Sequence, residues 1–274
     1  MSYTLGLYEK SMPDNLTWEQ KLSQVSAGGF DFLEISVDES EFRMSRLDWN
    51  KEQRREVVNA VNSTNVKIDT MCLSGHRKYP MGSAVPETHA KSVEILDKAI
   101  NLAYDIGVRI IQLAAYDVYY NETPSIQTRE IFLETVYKGS RMAAKNGIIL
   151  AFETMENDFC NTIEKAMYFV GEVNSPYLKV YPDVGNITNG TDDIVRDIKS
   201  GEGHIAAAHL KETVAGVFRD MRFGEGRVDF STAATTLNEV GVRKFTAEFW
   251  YKNGDDYKKE IKHASEFLRP ILDL

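Results

Sequence analysis

The chain has 274 residues, 43% hydrophobic and 27% charged, a globular composition that excludes disorder. Lys+Arg number 32 against 41 Asp+Glu, and the net charge of −9 excludes a nucleic-acid binder held by a general basic footprint. Cys72 and Cys160 cannot build a disulfide framework, Glu9, Lys10 and Asp14 break any signal-peptide pattern, and no apolar run reaches the roughly 18 residues of a membrane span. The expectation is a soluble cytoplasmic protein with no membrane partner.

Short apolar, β-branched runs alternate with longer stretches of helical spacing. The first run, Tyr3–Leu7, is followed by Thr17-Trp18-Glu19-Gln20, which fits a capping box, and Gly28-Gly29 stops that helix. Asp31–Ser36 is the second predicted strand, and Asn50 with Gln53 caps the helix after it. Val66–Leu73 and Arg109–Ala115 are the third and fourth strands, separated by a helix that opens at Pro86 and ends at Gly107. Another helix ends at Asn146-Gly147, before the fifth strand, Ile148–Glu153. Leu178–Val184, Ile205–Leu210 and Phe245–Trp250 complete the strands, with helices predicted over 162–174, 191–200, 230–240 and 255–270. Runs such as Ile148-Ile149-Leu150-Ala151-Phe152 lack polar alternation, as in parallel strands covered on both faces. Eight βα units average roughly 34 residues each, close to the ~30 of a βαβ repeat. The first strand runs into Tyr8-Glu9-Lys10, not the glycine-rich turn of a doubly wound sheet. The predicted fold is α/β, a single (β/α)8 TIM barrel spanning 1–274.

Barrel active sites lie at the C-terminal ends of the strands. Glu9 ends the first strand, Glu34 and Ser36 the second, and the third runs into Ser74-Gly75-His76-Arg77-Lys78-Tyr79. The fourth ends near Gln112 and Tyr116. Glu153, Asp183, His209 and Glu248 then interrupt or terminate four consecutive apolar strands. A carboxylate in such a setting is costly to bury unless it is paired or holds a metal. In a closed barrel the four converge, and three carboxylates with one imidazole suit a single divalent ion such as Mn, Co, Zn or Mg. His76 and Arg77, in a loop with Lys78, suggest capture of an anion. Lys211 shares the face of His209 and points to the same mouth. Arg222 and Arg227 flank Phe223-Gly224-Glu225-Gly226 in a second basic loop, a lid or a turn. Tyr116, Tyr119 and Tyr120 offer either a homodimer interface or a wall of the substrate mouth. His89, His204 and His263, with both cysteines, read as structural.

The chain resembles a known family at several of these places. Tyr8-Glu9-Lys10, Ser74-Gly75-His76-Arg77, Tyr79-Pro80-Met81-Gly82-Ser83, Asp183-Val184-Gly185-Asn186, His209-Leu210-Lys211-Glu212-Thr213 and Phe223-Gly224-Glu225-Gly226 carry the likeness. Together they are similar to the L-ribulose-5-phosphate (L-xylulose-5-phosphate) 3-epimerases, within the xylose-isomerase-like barrels. The resemblance implies a divalent metal on Glu153, Asp183, His209 and Glu248. It also implies a five-carbon ketose phosphate substrate, in the breakdown of L-ascorbate or related sugars. Many epimerases of unphosphorylated ketoses carry a histidine three residues after the strand-six aspartate, and Asn186 in that place is more consistent with the phosphate-sugar branch.

Epimerising C3 of a 2-ketose requires removal of the proton α to the carbonyl and its return on the other face, through a cis-enediolate. Glu153 and Glu248, on opposite sides of the metal, suit the two acid/base roles, with His76, Arg77 and Lys211 expected on the phosphate or far hydroxyls. An aldose–ketose isomerase on the same site is the alternative. A DNA-repair endonuclease would need a multi-metal cluster, and the chain has five histidines. A non-catalytic sugar-binding barrel would hold no metal and exchange no proton.

Overall fold

Residues 2–273 are described by the structure, a computed structural model. Around the barrel the strands are β1 (Thr4–Tyr8), β2 (Phe32–Val37), β3 (Lys67–Leu73), β4 (Ile110–Ala114), β5 (Ile149–Glu153), β6 (Leu178–Val180), β7 (Ala208–Leu210) and β8 (Lys244–Ala247). The helices between them are α1 (Trp18–Ala27), α2 (Glu41–Met44), α3 (Lys51–Thr64), α4 (Pro86–Ile106), α5 (Ile126–Lys145), α6 (Ile163–Val173), α7 (Val184–Gly190), α8 (Ile194–Ser200), α9 (Phe230–Glu239) and α10 (Tyr257–Leu272). All strand pairs are parallel, in the order β6-β5-β4-β3-β2-β1-β8-β7. The sheet curls until its edges meet through isolated bridges, Val180 to Ile205 and Asp183 to His209. That seam is held by His209 N–H donating to the Pro182 carbonyl at 2.9 Å and Val180 N–H to the His204 carbonyl at 2.8 Å.

Local chemistry sets the element ends. Thr17 Oγ1 accepts from Gln20 N–H while Gln20 Oε1 accepts from Thr17 N–H, at 3.2 and 2.9 Å, and Asn50 with Gln53 repeats the box. Gly107 closes α4 at φ 87°, a left-handed conformation that favours glycine. Among the described residues no helix is long and apolar enough to cross a membrane.

Strand period explains what faces inward. The odd residues of β5 and β7, continued past the short β6 at Tyr181 and Asp183, share the interior with the even residues of β2, β4 and β8. At the floor Ile110, Ala151, Tyr181 and Ala207 form a small apolar cluster apart from the main core between sheet and helices. A Cβ on Gly6 would lie 2.3 Å from the Phe32 ring, so the ring fills the space a side chain would need.

The sixth strand is shorter than the sequence reading, ending at Val180 and not Val184. Pro182 has no N–H for the ladder, and Asp183 caps α7 by accepting from Asn186 N–H at 2.8 Å. The short helices α2 and α7 were not anticipated, and both lie in loops at the mouth of the barrel. β7 and β8 are also trimmed, although Glu248 N–H still donates to the Leu210 carbonyl at 2.9 Å.

Candidate metal centre

Four donors from consecutive strands meet at the C-terminal end of the barrel. Glu153 is the last residue of β5, Asp183 sits at the N-terminus of α7, His209 lies in β7 and Glu248 follows β8. One ligand atom from each lies within 4.8 Å of all the others, and all four side chains are buried. His209 Nδ1 is 3.1 Å from Glu248 Oε2 and 3.5 Å from Glu153 Oε1. Lys211, also buried, reaches Asp183 Oδ2 at 2.8 Å and Glu248 Oε2 at 3.7 Å, and donates to Asn186 Oδ1 at 2.9 Å.

The electrostatics of this cluster are unbalanced. Three carboxylates and one lysine leave a formal charge of −3 + 1 = −2 with His209 neutral, or −1 with it protonated, the form that Glu34 and Glu248 favour against its burial. Burial drives the Asp183 carboxyl up to about 8 against the pull of Lys211, with Glu248 and Glu153 adding to the rise. Burial likewise raises Glu153, reinforced by Glu248. Glu248 goes the other way, because Lys211 and His209 outweigh its burial. Asp183 Oδ2 and Glu248 Oε2 make no aligned hydrogen bond despite being buried. Oxygens left in this state fit a divalent cation, since buried charge is tolerated when paired or ligating.

Above the cluster lies a cavity of about 500 Å³ whose wall includes Glu153, Lys211, Glu248, Asn186, Arg77 and Trp250. Arg77 stands over the Tyr119 and Tyr116 rings, 5.3 and 5.8 Å from their centroids, and its Nε finds no hydrogen-bond partner. Glu156 accepts from Tyr116 Oη at 2.6 Å and Tyr119 Oη at 3.1 Å, which fixes that wall. Tyr119 and Tyr120 line the cavity, and Tyr120 Oη donates across the mouth to Glu39 at 2.9 Å.

Of the residues singled out in the sequence, Glu153, Asp183, His209, Glu248 and Lys211 come together, with Arg77 farther out on the cavity wall. His76 does not join them, which corrects its expected place on the anion. Its ring is fully buried against α4, with Nε2 3.0 Å from the Ser92 carbonyl, and burial lowers its pKa to about 4. A neutral, enclosed imidazole offers an anion nothing. Arg222 pairs with Glu260 and Arg227 donates to the Thr188 carbonyl, so the second basic loop presents neither to the cavity. The wall comes instead from Gly216–Asp220, a stretch without periodicity that sequence reasoning missed along with Glu156 and Trp250. Cys72, read as packing, borders the cavity, and burial pushes its thiol far up, so it stays protonated.

Residues 22–271 match the family model described as xylose isomerase-like TIM barrel. L-ribulose-5-phosphate 3-epimerase UlaE of Escherichia coli is 40% identical over 266 residues, covering 97% of this chain and 93% of the relative. The UlaE of Escherichia fergusonii matches to the same extent, 40% over 97% of the chain. Among solved structures, D-psicose 3-epimerase from Clostridium cellulolyticum H10, solved with D-tagatose, superposes with a TM-score of 0.84 at 18% identity, covering 98% of this chain and 99% of that one. An L-ribulose 3-epimerase gives 0.81 at 19% identity, with 100% and 95% covered. At such identities these two structures speak for the fold alone.

Proposed function

The chain belongs to the L-ribulose-5-phosphate 3-epimerases of the xylose isomerase-like TIM-barrel family, and on that premise we propose that it interconverts L-xylulose 5-phosphate and L-ribulose 5-phosphate. The observation that carries this reading is the convergence of Glu153, Asp183, His209 and Glu248 under a cavity with an arginine, Arg77, on its wall. Those four would hold one divalent ion, Mn, Co, Zn or Mg. When bound, the ion supplies Lewis-acid polarisation of the C2 carbonyl and offsets the charge that develops on it.

The remaining work falls to the chain's own residues. Glu153 and Glu248 flank His209 from different strands, so one takes the C3 proton and keeps it while the other, protonated from solvent, delivers its own proton to the opposite face of the substrate's cis-enediolate. Lys211 lies too deep for a terminal phosphate. Its Nζ sits between Asp183, Glu248 and Asn186, where it holds Asp183 in place and meets a substrate oxygen near the reacting carbon. Arg77, whose side chain lines the cavity wall away from the four donors, takes the phosphate.

Two results test this directly. Arg77→Ala removes charge-assisted hydrogen bonds worth about 1.5–3 kcal/mol, so KM for L-ribulose 5-phosphate rises roughly tenfold or more while turnover of unphosphorylated L-ribulose stays as in the wild type. An unchanged KM for the phosphorylated ketose would remove Arg77 from the phosphate site. Chelator treatment abolishes turnover and lowers thermal stability, and an ion restored at a hundredfold its Kd returns about 2.7 kcal/mol. Full activity in chelator-stripped protein, with no metal by elemental analysis, contradicts the metal reading. An aldose phosphate as product would move the reading to an isomerase on the same site.

A further inference from the structure

His209 has two ring nitrogens, and they meet different chemistry. Nδ1 faces Glu248 and Glu153, as described. Nε2 lies 2.6 Å from Glu34 Oε1, and both side chains are fully buried. Glu34 sits in the middle of β2, 175 residues away in sequence, on the interior face. Its other oxygen, Oε2, accepts from Thr70 Oγ1 at 2.7 Å and from Tyr181 Oη at 2.9 Å. The Tyr181 hydroxyl is in turn 2.7 Å from Thr246 Oγ1, and its ring meets the His209 ring edge-on at 4.8 Å between centroids. β2, β3, the end of β6, β7 and β8 all contribute to this polar layer beneath the four donors.

Two arrangements satisfy these partners, and both protonate Nε2: an imidazolium whose Nδ1–H also points to Glu248 Oε2, 3.1 Å away, and a neutral ring. A carboxylate only accepts, so the nitrogen facing Glu34 must carry a proton. In a neutral imidazole the other nitrogen, Nδ1, then presents its lone pair. Gln112 Nε2, 3.3 Å from Nδ1, can donate to that lone pair only while no metal occupies it. We infer that Glu34 is a positioning residue for the metal centre, locking His209 with Nε2 protonated and Nδ1 aimed between Glu153 and Glu248, while Thr70 and Tyr181 hold Glu34 in turn. A carboxylate behind a ligating imidazole both orients the ring and strengthens it as a donor, and loss of such a partner weakens metal binding by about 10- to 100-fold. Apolar burial would not require an acid here; an acid with three donors converging on it and a histidine between it and the ligand cluster does.

The inference rests on the metal-centre reading, and cobalt(II) alone as probe separates the two. Wild-type protein, freed of metal and titrated with Co2+, is expected to bind one equivalent with a visible absorption band that reports the donor set. Glu34→Gln keeps the shape but removes the charge, and is expected to weaken Co2+ by 10- to 100-fold and shift the band, with the thermal midpoint of the chelator-treated protein little changed. Tyr181→Phe leaves Glu34 in place with one donor fewer, and is expected to weaken Co2+ by a smaller factor. Should Glu34→Gln not fold, Tyr181→Phe and Thr70→Val carry the test, each with reduced affinity and the same direction of spectral shift. Variants that bind Co2+ as tightly as the wild type, with the same spectrum, overturn the role of Glu34 while leaving the metal centre intact. Wild-type protein that binds no Co2+ or Mn2+ overturns the metal centre itself.

Discussion

Glu153→Gln and Glu248→Gln, assayed with metal at saturation, each lose about 10⁴-fold in kcat for L-ribulose 5-phosphate, at the upper end of what a positioned acid or base contributes. Each variant is also expected to weaken the metal, because the proposed scheme has each glutamate both ligate and transfer a proton. The more informative readout is proton exchange with solvent. If Glu153 serves one face of C3 and Glu248 the other, each variant retains one working base. One variant then washes solvent deuterium into L-xylulose 5-phosphate without forming its epimer, and the other does so from L-ribulose 5-phosphate. Epimerisation within tenfold of wild type in either variant contradicts the two-base scheme.

Glu9→Gln produces the largest loss of stability. Glu9 directly follows β1 and opens a short 3₁₀ turn, Glu9–Ser11, from which its side chain meets α1 and not the barrel interior. Its carboxylate accepts from Lys21 Nζ and from both terminal nitrogens of Arg46, and also from Ser36 N–H at 3.0 Å. All three charged side chains are buried. Burial alone would raise the Glu9 carboxyl, but Arg46 and Lys21 outweigh it and hold it well below the usual range. The glutamine variant strands two buried cations, at a cost of about 3–5 kcal/mol, or roughly 10 °C in midpoint for a chain of this size. The sign with pH follows from the depressed carboxyl. The stabilisation is complete above the unfolded-state value near 4.3 and drains away as pH falls toward the folded-state value. The gap between wild type and variant therefore narrows below about pH 4. A variant within 1 kcal/mol of wild type at pH 7 contradicts this account of the triad.

How much of this was legible in the sequence depends on which forces placed each residue. Glu153, Asp183, His209 and Glu248 could be found because each puts a charge or imidazole at the end of an apolar strand, and a closed barrel brings strand ends together. Glu34 carried half of that signal, a charge on an interior position of an apolar strand, but its partner lies 175 residues away and only the closed barrel brings the two together. Glu9 shows the limit of that rule: its place at the predicted strand end suggested the site, but it opens the 3₁₀ turn after β1 and pairs with Lys21 of α1. His76 was misjudged because loops have no period, and the short 3₁₀ turn at Ser74–Arg77 aims neighbouring side chains in unrelated directions. Its basic neighbour Arg77 reaches the cavity, while His76 goes under α4. The over-long sixth strand came from reading Val180–Val184 by composition, when Pro182 and the cap at Asp183 had already ended it. Glu156 and Gly216–Asp220 have no pattern that separates them from ordinary loop residues, whereas Trp250, two residues past Glu248 at the end of the predicted eighth strand, shared its period.

The central claim is proton transfer at C3 of a ketose phosphate. Proton NMR of L-xylulose 5-phosphate in deuterated water, with metal-replete enzyme, tests it most directly. The account predicts loss of the C3 proton signal with formation of L-ribulose 5-phosphate carrying deuterium at C3. Deuterium at C1 with an aldose product, or no exchange into the sugar from protein with its metal confirmed bound, would contradict it.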